Sequence, residues 1–316
     1  MSFLERALEL AERGRGTTNP NPVVGAVLVR DGEVVGEGWH ERKGESHAEA
    51  NAIAAAGDRA RGSTLYVTLE PCAHVGSTPP CTQAVIDAGV AKVVVGTRDP
   101  SADAGGGLEQ LREAGIEGEV ADGELAFEAR QQIEAWLTWV TKSRPFVTYK
   151  AAMTLDGRLT TPGSRWISGE ESRRLVHELR AVSDAVAVGM GTVRWDAPRL
   201  DARDVPVARQ PRRLAFGRGP LPDGSELELR SGPLREELET LAADGVQSLL
   251  LEGGPTLAAA FLEQRLVDKL LVFVAPTLAG EGQGLLAGLP ASVELTRLES
   301  RSVGDDVLLQ AYVHEP

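Results

Sequence analysis

The sequence has little of what marks membrane, secreted or disulfide-stabilised proteins. It contains only two cysteines, and aromatic residues make up 4% of the chain. No apolar run approaches the roughly 20 residues that cross a bilayer. The segment from Met1 to Arg15 alternates Leu and Ala with Glu and Arg, so it lacks the apolar core of a signal peptide. We therefore expect a cytoplasmic protein without a structural disulfide.

Positive charge is also in short supply. The 33 Lys and Arg residues face 46 Asp and Glu residues, which gives a formal net charge of -13. This excess argues against non-specific binding to nucleic acid or to anionic membranes, because both carry the same sign of charge. It remains compatible with a local basic pocket for a small phosphorylated molecule.

What is present indicates a globular α/β protein with about two domains. The chain has 316 residues, of which 42% are hydrophobic and 25% charged, enough to form sizeable cores. Predicted strands and helices alternate from end to end. A polar helix predicted over residues 124–142 precedes Ser143, Arg144 and Pro145, where we place the boundary between domains at 1–145 and 146–316.

Two local patterns in the second domain lead to further expectations. Ser168 and Glu171 have the spacing of a capping box, which predicts the start of a helix. Residues 197–235 are rich in Pro, Arg and Gly, and we expect them to be mostly surface loop.

Three potential metal ligands lie at the ends of predicted elements in the first domain. His47 opens a helix, Cys72 follows a strand, and Cys81 opens the next helix. One imidazole and two thiolates fill three positions of a tetrahedral zinc site and leave the fourth for water. The two thiolates neutralise Zn²⁺, and the metal lowers the pKa of the water towards ~7. Glu49 is then suited to move a proton from the water to a leaving nitrogen, as in zinc nucleobase deaminases.

The residues alone leave a second type of metal site open. A structural zinc ion takes four protein ligands, and there is no third cysteine. His40 or His74 could supply the fourth ligand of such a closed site.

Two motifs in this half carry a resemblance to a known family. Residues 19–27 read NPNPVVGAV, and residues 70–81 read EPCAHVGSTPPC. With these motifs the chain resembles, over nearly its whole length, the bifunctional deaminase–reductase family of riboflavin biosynthesis. Eight residues separate Cys72 from Cys81, whereas cytidine and tRNA deaminases usually have two between their cysteines.

The resemblance implies a fold and a set of site residues for the first domain. The fold is the three-layer α/β/α domain of the cytidine deaminases. The ligands of one zinc ion per chain are His47, Cys72 and Cys81, and Glu49 is the catalytic acid and base. Asn21, His40 and His74 are implied around the pyrimidine and the ribose phosphate. On their own, Asn21 could shape a Pro-rich turn, and the two histidines could be ordinary surface or core residues.

Two segments of this domain differ from the family pattern. Ser77 stands where the family usually has Lys or Arg, and residues 99–107 keep only the outline of the usual loop. Both differences concern contacts to the substrate phosphate rather than the zinc chemistry.

The second domain lacks the Gly-x-Gly-x-x-Gly fingerprint of a Rossmann dinucleotide site. Instead, an apolar strand over residues 249–251 is followed by Glu252, Gly253, Gly254 and Pro255. Glycines allow a pyrophosphate to approach the backbone, and a helix N-terminus supplies unpaired N–H groups. The same pattern also occurs in tight connections without a ligand.

The resemblance again adds specific expectations. The motifs KAAMTLDGR at 150–158, SRWIS at 164–168, GMGTV at 189–193 and DAPRL at 196–200 are similar to those of the family's reductase, which has a dihydrofolate-reductase-like α/β fold and uses NADPH. The implied cofactor contacts are Ala152, Trp166, Thr192, Asp196, Gly254, Pro255, Thr256, Leu257, Ala258, Ala259 and Ala260. The implied substrate contacts are Ser164, Leu200, Arg203 and Glu252.

Two arginines of this domain need separate comment. A guanidinium binds phosphate in a bidentate manner, which suits Arg203 to the substrate phosphate, although a solvated loop residue would look the same. The strand at 213–219 differs from the family pattern near the cofactor. There Arg218 either binds the adenosine 2′-phosphate, or the sequence of this strand has simply diverged from that of the family.

The resemblance implies two successive reactions on small phosphorylated pyrimidines. The first domain would deaminate 2,5-diamino-6-ribosylamino-4(3H)-pyrimidinone 5′-phosphate, and the second would reduce the ribosyl group to ribityl with NADPH. Alternatives are a deaminase with an impaired or retuned reductase, and a non-catalytic nucleotide-binding regulator. A nucleic-acid base deaminase is disfavoured by the net charge of -13. The resemblance also suggests a homodimer formed through the reductase domains.

Overall fold

The structure is a computed structural model that describes residues 2–74, 79–164 and 166–316, so Ser77 and Arg165 lie outside the described residues. The chain divides into two compact units, Met1–Lys142 together with Pro316, and Ser143–Glu315. Each unit packs helices against a central sheet, and the predicted α/β class is confirmed. Among the described helices, none combines the length and the apolar character that a bilayer span requires.

The first unit is built on a five-stranded sheet with strand order β2-β1-β3-β4-β5. Strand β1 is antiparallel to both of its neighbours, whereas β3, β4 and β5 run parallel. In chain order the elements are α1 (Phe3–Glu12), β1 (Gly25–Arg30), β2 (Glu33–Trp39), α2 (Ala48–Ala56), β3 (Thr64–Leu69), α3 (Cys81–Ala88), β4 (Lys92–Thr97), α4 (Gly107–Glu113), β5 (Glu117–Val120), α5 (Gly123–Gln132) and α6 (Glu134–Lys142).

Helices cover both faces of this sheet, as predicted for a three-layer domain. Leu4, Ala7 and Leu10 of α1 pack against Val27 and Val29 of β1 on one face. On the other face, α2, α3 and α4 contribute buried apolar side chains to a separate core with the strands. Successive side chains of each strand point to opposite faces of the sheet, so both faces are apolar, and helices cover each of them.

Three glycines bring helices close to this sheet. A Cβ at Gly25 would lie 2.0 Å from the carbonyl oxygen of Ala7 in α1. A Cβ at Gly36 would lie 2.3 Å from the carbonyl oxygen of Ala52, and one at Gly38 would lie 2.4 Å from that of Ala48. Helix α2 therefore contacts the backbone of β2, and a larger residue at these strand positions would displace it.

The second unit is built on an eight-stranded sheet with order β12-β13-β11-β6-β10-β7-β8-β9. The six strands from β11 to β9 in this order are parallel, and the β12–β13 hairpin is antiparallel at one edge. In chain order the elements are β6 (Phe146–Thr154), α7 (Glu170–Val182), β7 (Ala185–Gly189), α8 (Met190–Asp196), β8 (Arg212–Phe216), β9 (Glu228–Arg230), α9 (Leu234–Ala243), β10 (Ser248–Leu251), α10 (Pro255–Glu263), β11 (Lys269–Ala275), β12 (Thr296–Val303) and β13 (Asp306–Tyr312).

The parallel strands place their carboxyl ends at one edge of the sheet. Helix α8 follows β7 directly, and α10 follows β10 after three residues, Glu252, Gly253 and Gly254. Helices α9 and α10 cover one face of the sheet, whereas α7 and α8 pack on the other. Ligands of open parallel sheets bind at such an edge, between helices that belong to opposite faces.

Two local predictions need correction. The helix predicted over residues 124–142 is two helices, because Ile133 leaves helical geometry and is buried against Leu69 and Leu137. The capping box is wrong, because Gly169 is the N-cap residue of α7. The segment 197–235 is mostly irregular, as expected, and it also contains β9 and β8, whose Leu214, Ala215 and Phe216 are buried in the sheet.

Candidate active sites

His47, Cys72 and Cys81 form a compact donor group in the first unit. Their potential ligand atoms all lie within 4.8 Å of one another. The Nδ1 atom of His47 lies 3.2 Å from the sulfur of Cys81 and 3.6 Å from that of Cys72. Among the described residues this group has three members, and neither His40 nor His74 belongs to it. One imidazole and two sulfurs are the donor set of an open zinc site.

Two helix starts create a favourable electrostatic environment for this group. His47 is the N-cap residue of α2, and Cys81 is the first residue of α3. The backbone N–H of Cys81 donates a hydrogen bond to the sulfur of Cys72 at 3.4 Å. Helix N-termini carry partial positive charge, so both helix starts stabilise nearby thiolates.

The two sulfurs also influence each other directly. A hydrogen bond from Cys81 lowers the pKa of the Cys72 thiol to about 4, and His47 adds to this effect. The same interaction, together with burial, raises the pKa of Cys81. A divalent cation among the three donors would compensate the negative charge of a second thiolate, so that Cys72 and Cys81 could both be deprotonated. The donor chemistry therefore fits zinc.

Glu49 lies beside this group without belonging to it. It occupies the second position of α2, and its residue is only 3% exposed. Burial raises the pKa of its carboxyl group, although a backbone hydrogen bond and the charge of His47 partly offset this effect. A buried carboxyl group with a raised pKa is suited to exchanging protons near neutral pH.

A cavity of about 260 Å³ connects these residues with the predicted substrate contacts. Asn21, His40 and His74 line it together with His47, Glu49 and Cys72. The structure therefore brings together the residues that the sequence predicted for this site, and Cys81, which does not line the cavity, lies next to His47.

His40 has both ring nitrogens engaged. Its Nδ1 lies 3.2 Å from the carbonyl oxygen of Ser46, which can only accept, so this nitrogen carries the proton. Its Nε2 then accepts from the side-chain amide of Asn21 at 3.3 Å. Burial lowers the pKa of His40, in agreement with a neutral ring. This pairing orients Asn21 and His40 at the cavity wall and leaves no nitrogen of His40 for a metal.

Glu70 is a buried cavity residue to which the sequence analysis gave no role. Its carboxylate accepts a hydrogen bond from the backbone N–H of Leu108 at 2.7 Å and another from that of Asp99 at 3.0 Å. It thereby attaches the loop 99–107 to the end of β3. Its place between Leu69 and Cys72 was visible in the sequence, but its partners, about 30 to 40 residues away in the chain, were not.

The second unit contains a large open cleft of about 2010 Å³ at the carboxyl edge of its sheet. The N-terminus of α10 lines this cleft, with Gly254 as N-cap residue and Pro255 at the first helical position. A Cβ at Gly254 would meet only the hydroxyl oxygen of Thr192, at 3.7 Å. Neither the backbone conformation nor the packing requires glycine here, whereas a pyrophosphate against the backbone would.

Three charged side chains form an ion cluster in the same cleft. Both carboxylate oxygens of Glu252 accept hydrogen bonds from Arg180, at 2.6 and 2.9 Å, and Lys150 lies 3.6 Å away. Burial alone would raise the pKa of Glu252, but the charges of Lys150 and Arg180 outweigh it, and the pKa is lowered. The cluster keeps Glu252 ionised and leaves an excess of positive charge.

Comparisons with known proteins agree with this pair of sites. A model of the RibD C-terminal domain matches residues 145–309, and one of the cytidine and deoxycytidylate deaminase zinc-binding region matches residues 1–97. The chain is 39% identical to the riboflavin biosynthesis protein RibD of Aquifex aeolicus, with 98% of this chain and 97% of the relative covered. It is 38% identical to RibD of Escherichia coli, with 97% of each covered. The chain belongs to the RibD family.

Solved structures of the family support the same assignment. Acinetobacter baumannii RibD matches with a TM-score of 0.82 and 36% identity, over 98% of this chain and 97% of that chain. A diaminohydroxyphosphoribosylaminopyrimidine deaminase/5-amino-6-(5-phosphoribosylamino)uracil reductase of Thermotoga maritima matches with a TM-score of 0.83 and 35% identity, over the same shares. This chain thus combines the deaminase and reductase domains of the RibD family.

Most of the predicted reductase residues line the cleft. For the cofactor these are Ala152, Trp166, Thr192, Asp196, Gly254, Pro255, Thr256, Leu257 and Ala260, and for the substrate Arg203 and Glu252. Ala258 is completely buried in the core, and Leu200 is 2% exposed beneath the loop that carries Arg203. Ala259 and Ser164 also lie outside the lining. For all the predicted site residues, whether or not they line the cleft, a ligand contact stays a prediction.

The loop with Arg203 is held from α7 and from the following segment. The backbone N–H of Arg203 donates to Nδ1 of His177 at 3.4 Å, and Arg180 donates to the carbonyl oxygen of Asp201 at 3.2 Å. Gln210 both accepts from and donates to the backbone of Ala202. Sequence reasoning missed Arg180, which lines the cleft and holds both Glu252 and this loop. No signal in the sequence separates Arg180 from the other two arginines of α7, Arg173 and Arg174.

Proposed function

We propose that the first unit removes the amino group of 2,5-diamino-6-ribosylamino-4(3H)-pyrimidinone 5′-phosphate, and that the second reduces the ribosyl group of the product to ribityl with NADPH. The observation that carries the proposal is the open donor group of His47, Cys72 and Cys81 beside the buried Glu49, in one chain with the reductase cleft. The Thermotoga relative carries both activities in its name. We assign the deaminase to residues 1–145 and the reductase to 146–316.

In the deaminase, His47, Cys72 and Cys81 would hold the zinc ion. When bound, zinc supplies a water with a pKa near ~7. Glu49 would take a proton from this water and deliver it to the amino nitrogen, while the water oxygen bonds to the carbon that carries this nitrogen, so that the carbon–nitrogen bond breaks and ammonia leaves. Burial raises the pKa of Glu49, which makes its carboxylate a stronger base towards the water. Asn21, His40 and His74 contact the pyrimidine and its ribose phosphate from the cavity wall.

In the reductase, the cofactor would lie along the start of α10 with its pyrophosphate beside Gly254. When bound, NADPH supplies a hydride, and the protein positions the two reactants. Glu252, held by Arg180 and Lys150, and Arg203 face the substrate, and the surplus positive charge of this region suits its phosphate. The cytoplasmic location and the homodimer stay predictions.

A coupled assay tests this function. The full chain is supplied with the diaminopyrimidine substrate and NADPH, and ammonia, NADPH absorbance and product mass are followed together. We expect ammonia and NADP⁺ in equal amounts and a product two mass units heavier than the deaminated intermediate. Ammonia without NADPH oxidation would indicate an impaired or retuned reductase. The absence of both reactions would refute the proposal.

Glu49→Gln separates the proton transfer from metal binding. The amide keeps the shape of the side chain but cannot take a proton, so deamination should fall by about 10² to 10⁴. Zinc content and reduction of supplied intermediate should stay at the parent level. In the control variant Cys72→Ser, zinc and deamination should be lost together. Deamination by Glu49→Gln within a few fold of the parent would refute the assigned role, whatever the zinc content.

A further inference from the structure

Trp195 has the largest exposure among the large hydrophobic side chains described. It is 88% exposed, and it lines the reductase cleft. Large aromatic side chains are seldom this accessible, and an aromatic face at the wall of a ligand cleft points to stacking with a planar group. None of the roles assigned above uses this residue.

The position of Trp195 on α8 gives it an open approach. Gly191 and Thr192 precede it by four and three residues, so the three share one side of the helix. Helical side chains lean towards the N-terminus, so the indole extends on the side of the helix that carries Gly191 and Thr192. A Cβ at Gly191 would meet no atom within 4 Å, so the space beside the ring is open. Thr192 brings this side of α8 close to the start of α10, because its hydroxyl oxygen lies 3.7 Å from the position of a Cβ at Gly254.

The charges around this surface indicate which half of NADPH it meets. The nicotinamide must reach the substrate beside Glu252, which follows the end of β10, and Lys150, which lies in the middle of β6. Helix α8 lies on the other side, over the end of β8, where Arg194 donates a hydrogen bond to the carbonyl oxygen of Arg218 at 2.8 Å. Arg194 and Arg218 are not lining residues of the cleft, but they add positive charge next to Trp195. This charge favours the half of NADPH that carries an additional phosphate, which is the adenosine 2′-phosphate end.

We propose that Trp195 stacks on the adenine ring of NADPH and is a main source of the affinity for the adenosine half. This inference rests on the proposed NADPH site. Base stacking on an aromatic side chain tolerates small displacements and requires no buried polar partner. An exposed platform is therefore sufficient, provided that α10 anchors the adjacent pyrophosphate.

Calorimetric titration of the full chain tests the proposal with three probes: NADPH, adenosine 2′,5′-bisphosphate and nicotinamide mononucleotide. In Trp195→Ala the Kd of NADPH and the Kd of the bisphosphate should each rise about tenfold. This factor lies at the lower end of the affinity that stacking of a base on an aromatic side chain contributes. Nicotinamide mononucleotide should bind as it does to the parent. Trp195→Phe should recover most of the loss, because it keeps an aromatic face.

Leu278→Ala is the control, because Leu278 is another exposed large hydrophobic residue of the second unit and does not line the cleft. It should leave the bisphosphate affinity unchanged. Equal binding of NADPH by the parent and Trp195→Ala would overturn the stacking role, and selective loss of nicotinamide mononucleotide would overturn the choice of half. If the parent itself bound no NADPH, the proposed cofactor would be wrong instead.

Discussion

Replacing Arg180 with methionine removes one partner of a buried ion pair and keeps the aliphatic bulk. The side chains of Arg180 and Glu252 are 13% and 9% exposed, and two hydrogen bonds join them. Removing one member of such a pair typically costs about 3–5 kcal/mol, because a buried charge stays behind. Lys150 remains 3.6 Å from Glu252, so we expect about 3 kcal/mol at pH 7. Hydrogen exchange of peptides from β6 and β10, measured by mass spectrometry, reports this loss.

The pH dependence and a double variant distinguish this reasoning from a packing defect. A lowered pKa of Glu252 in the parent means that its contribution is present above the unfolded value of about 4.3 and is lost as the pH falls further. In Arg180→Met one of the two charges that lower this pKa is gone, whereas the burial that raises it remains, so Glu252 takes up a proton at a higher pH in the variant than in the parent. The deficit of Arg180→Met should therefore shrink as the pH falls from 7 towards 4. Arg180→Met combined with Glu252→Gln should be more stable than Arg180→Met alone. A pH-independent deficit, or a double variant that is weaker still, would refute the argument.

Two further substitutions test the cleft and the cavity. Gly254→Val should keep the fold, because a Cβ there meets only Thr192 at 3.7 Å, but should weaken NADPH binding to the full chain more than tenfold by calorimetry. Unchanged binding would mean that another loop holds the pyrophosphate. Glu70→Gln leaves one of two backbone N–H groups without an acceptor, so it should raise the KM of deamination several fold through the loop 99–107, with normal zinc content. An unchanged KM would show that this loop does not contact the substrate.

The zinc site was predictable because each of its donors is marked locally. His47 and Cys81 begin helices, and Cys72 follows a strand, so element ends that are visible in the sequence already place them. The cavity wall was predictable only through the family resemblance. The hydrogen bond between Asn21 and His40 joins residues whose partnership no spacing rule indicates.

Long-range polar contacts were beyond the reach of local patterns. The start of α7 is capped by Asp306, which accepts from the backbone N–H of Gly169 at 2.8 Å and from the hydroxyl of Ser172 at 2.6 Å. This residue comes more than 130 residues later, so the nearer Ser168 looked like the cap. Arg180 was missed for a related reason, because its partner Glu252 is supplied by a different strand.

The close packing of α2 on β2 places a mechanical constraint on the chemistry of the deaminase. Helix α2 carries Glu49, and its backbone rests on Gly36 and Gly38 with no room for a methyl group. A methyl group at either glycine would push the whole of α2 away from the sheet and would move Glu49 with it. Shifting a catalytic group by about 1 Å can cost a factor of ~10² in rate. These two glycines therefore set the alignment of the acid–base group from outside the cavity. Any redesign of the cavity for another pyrimidine inherits that alignment.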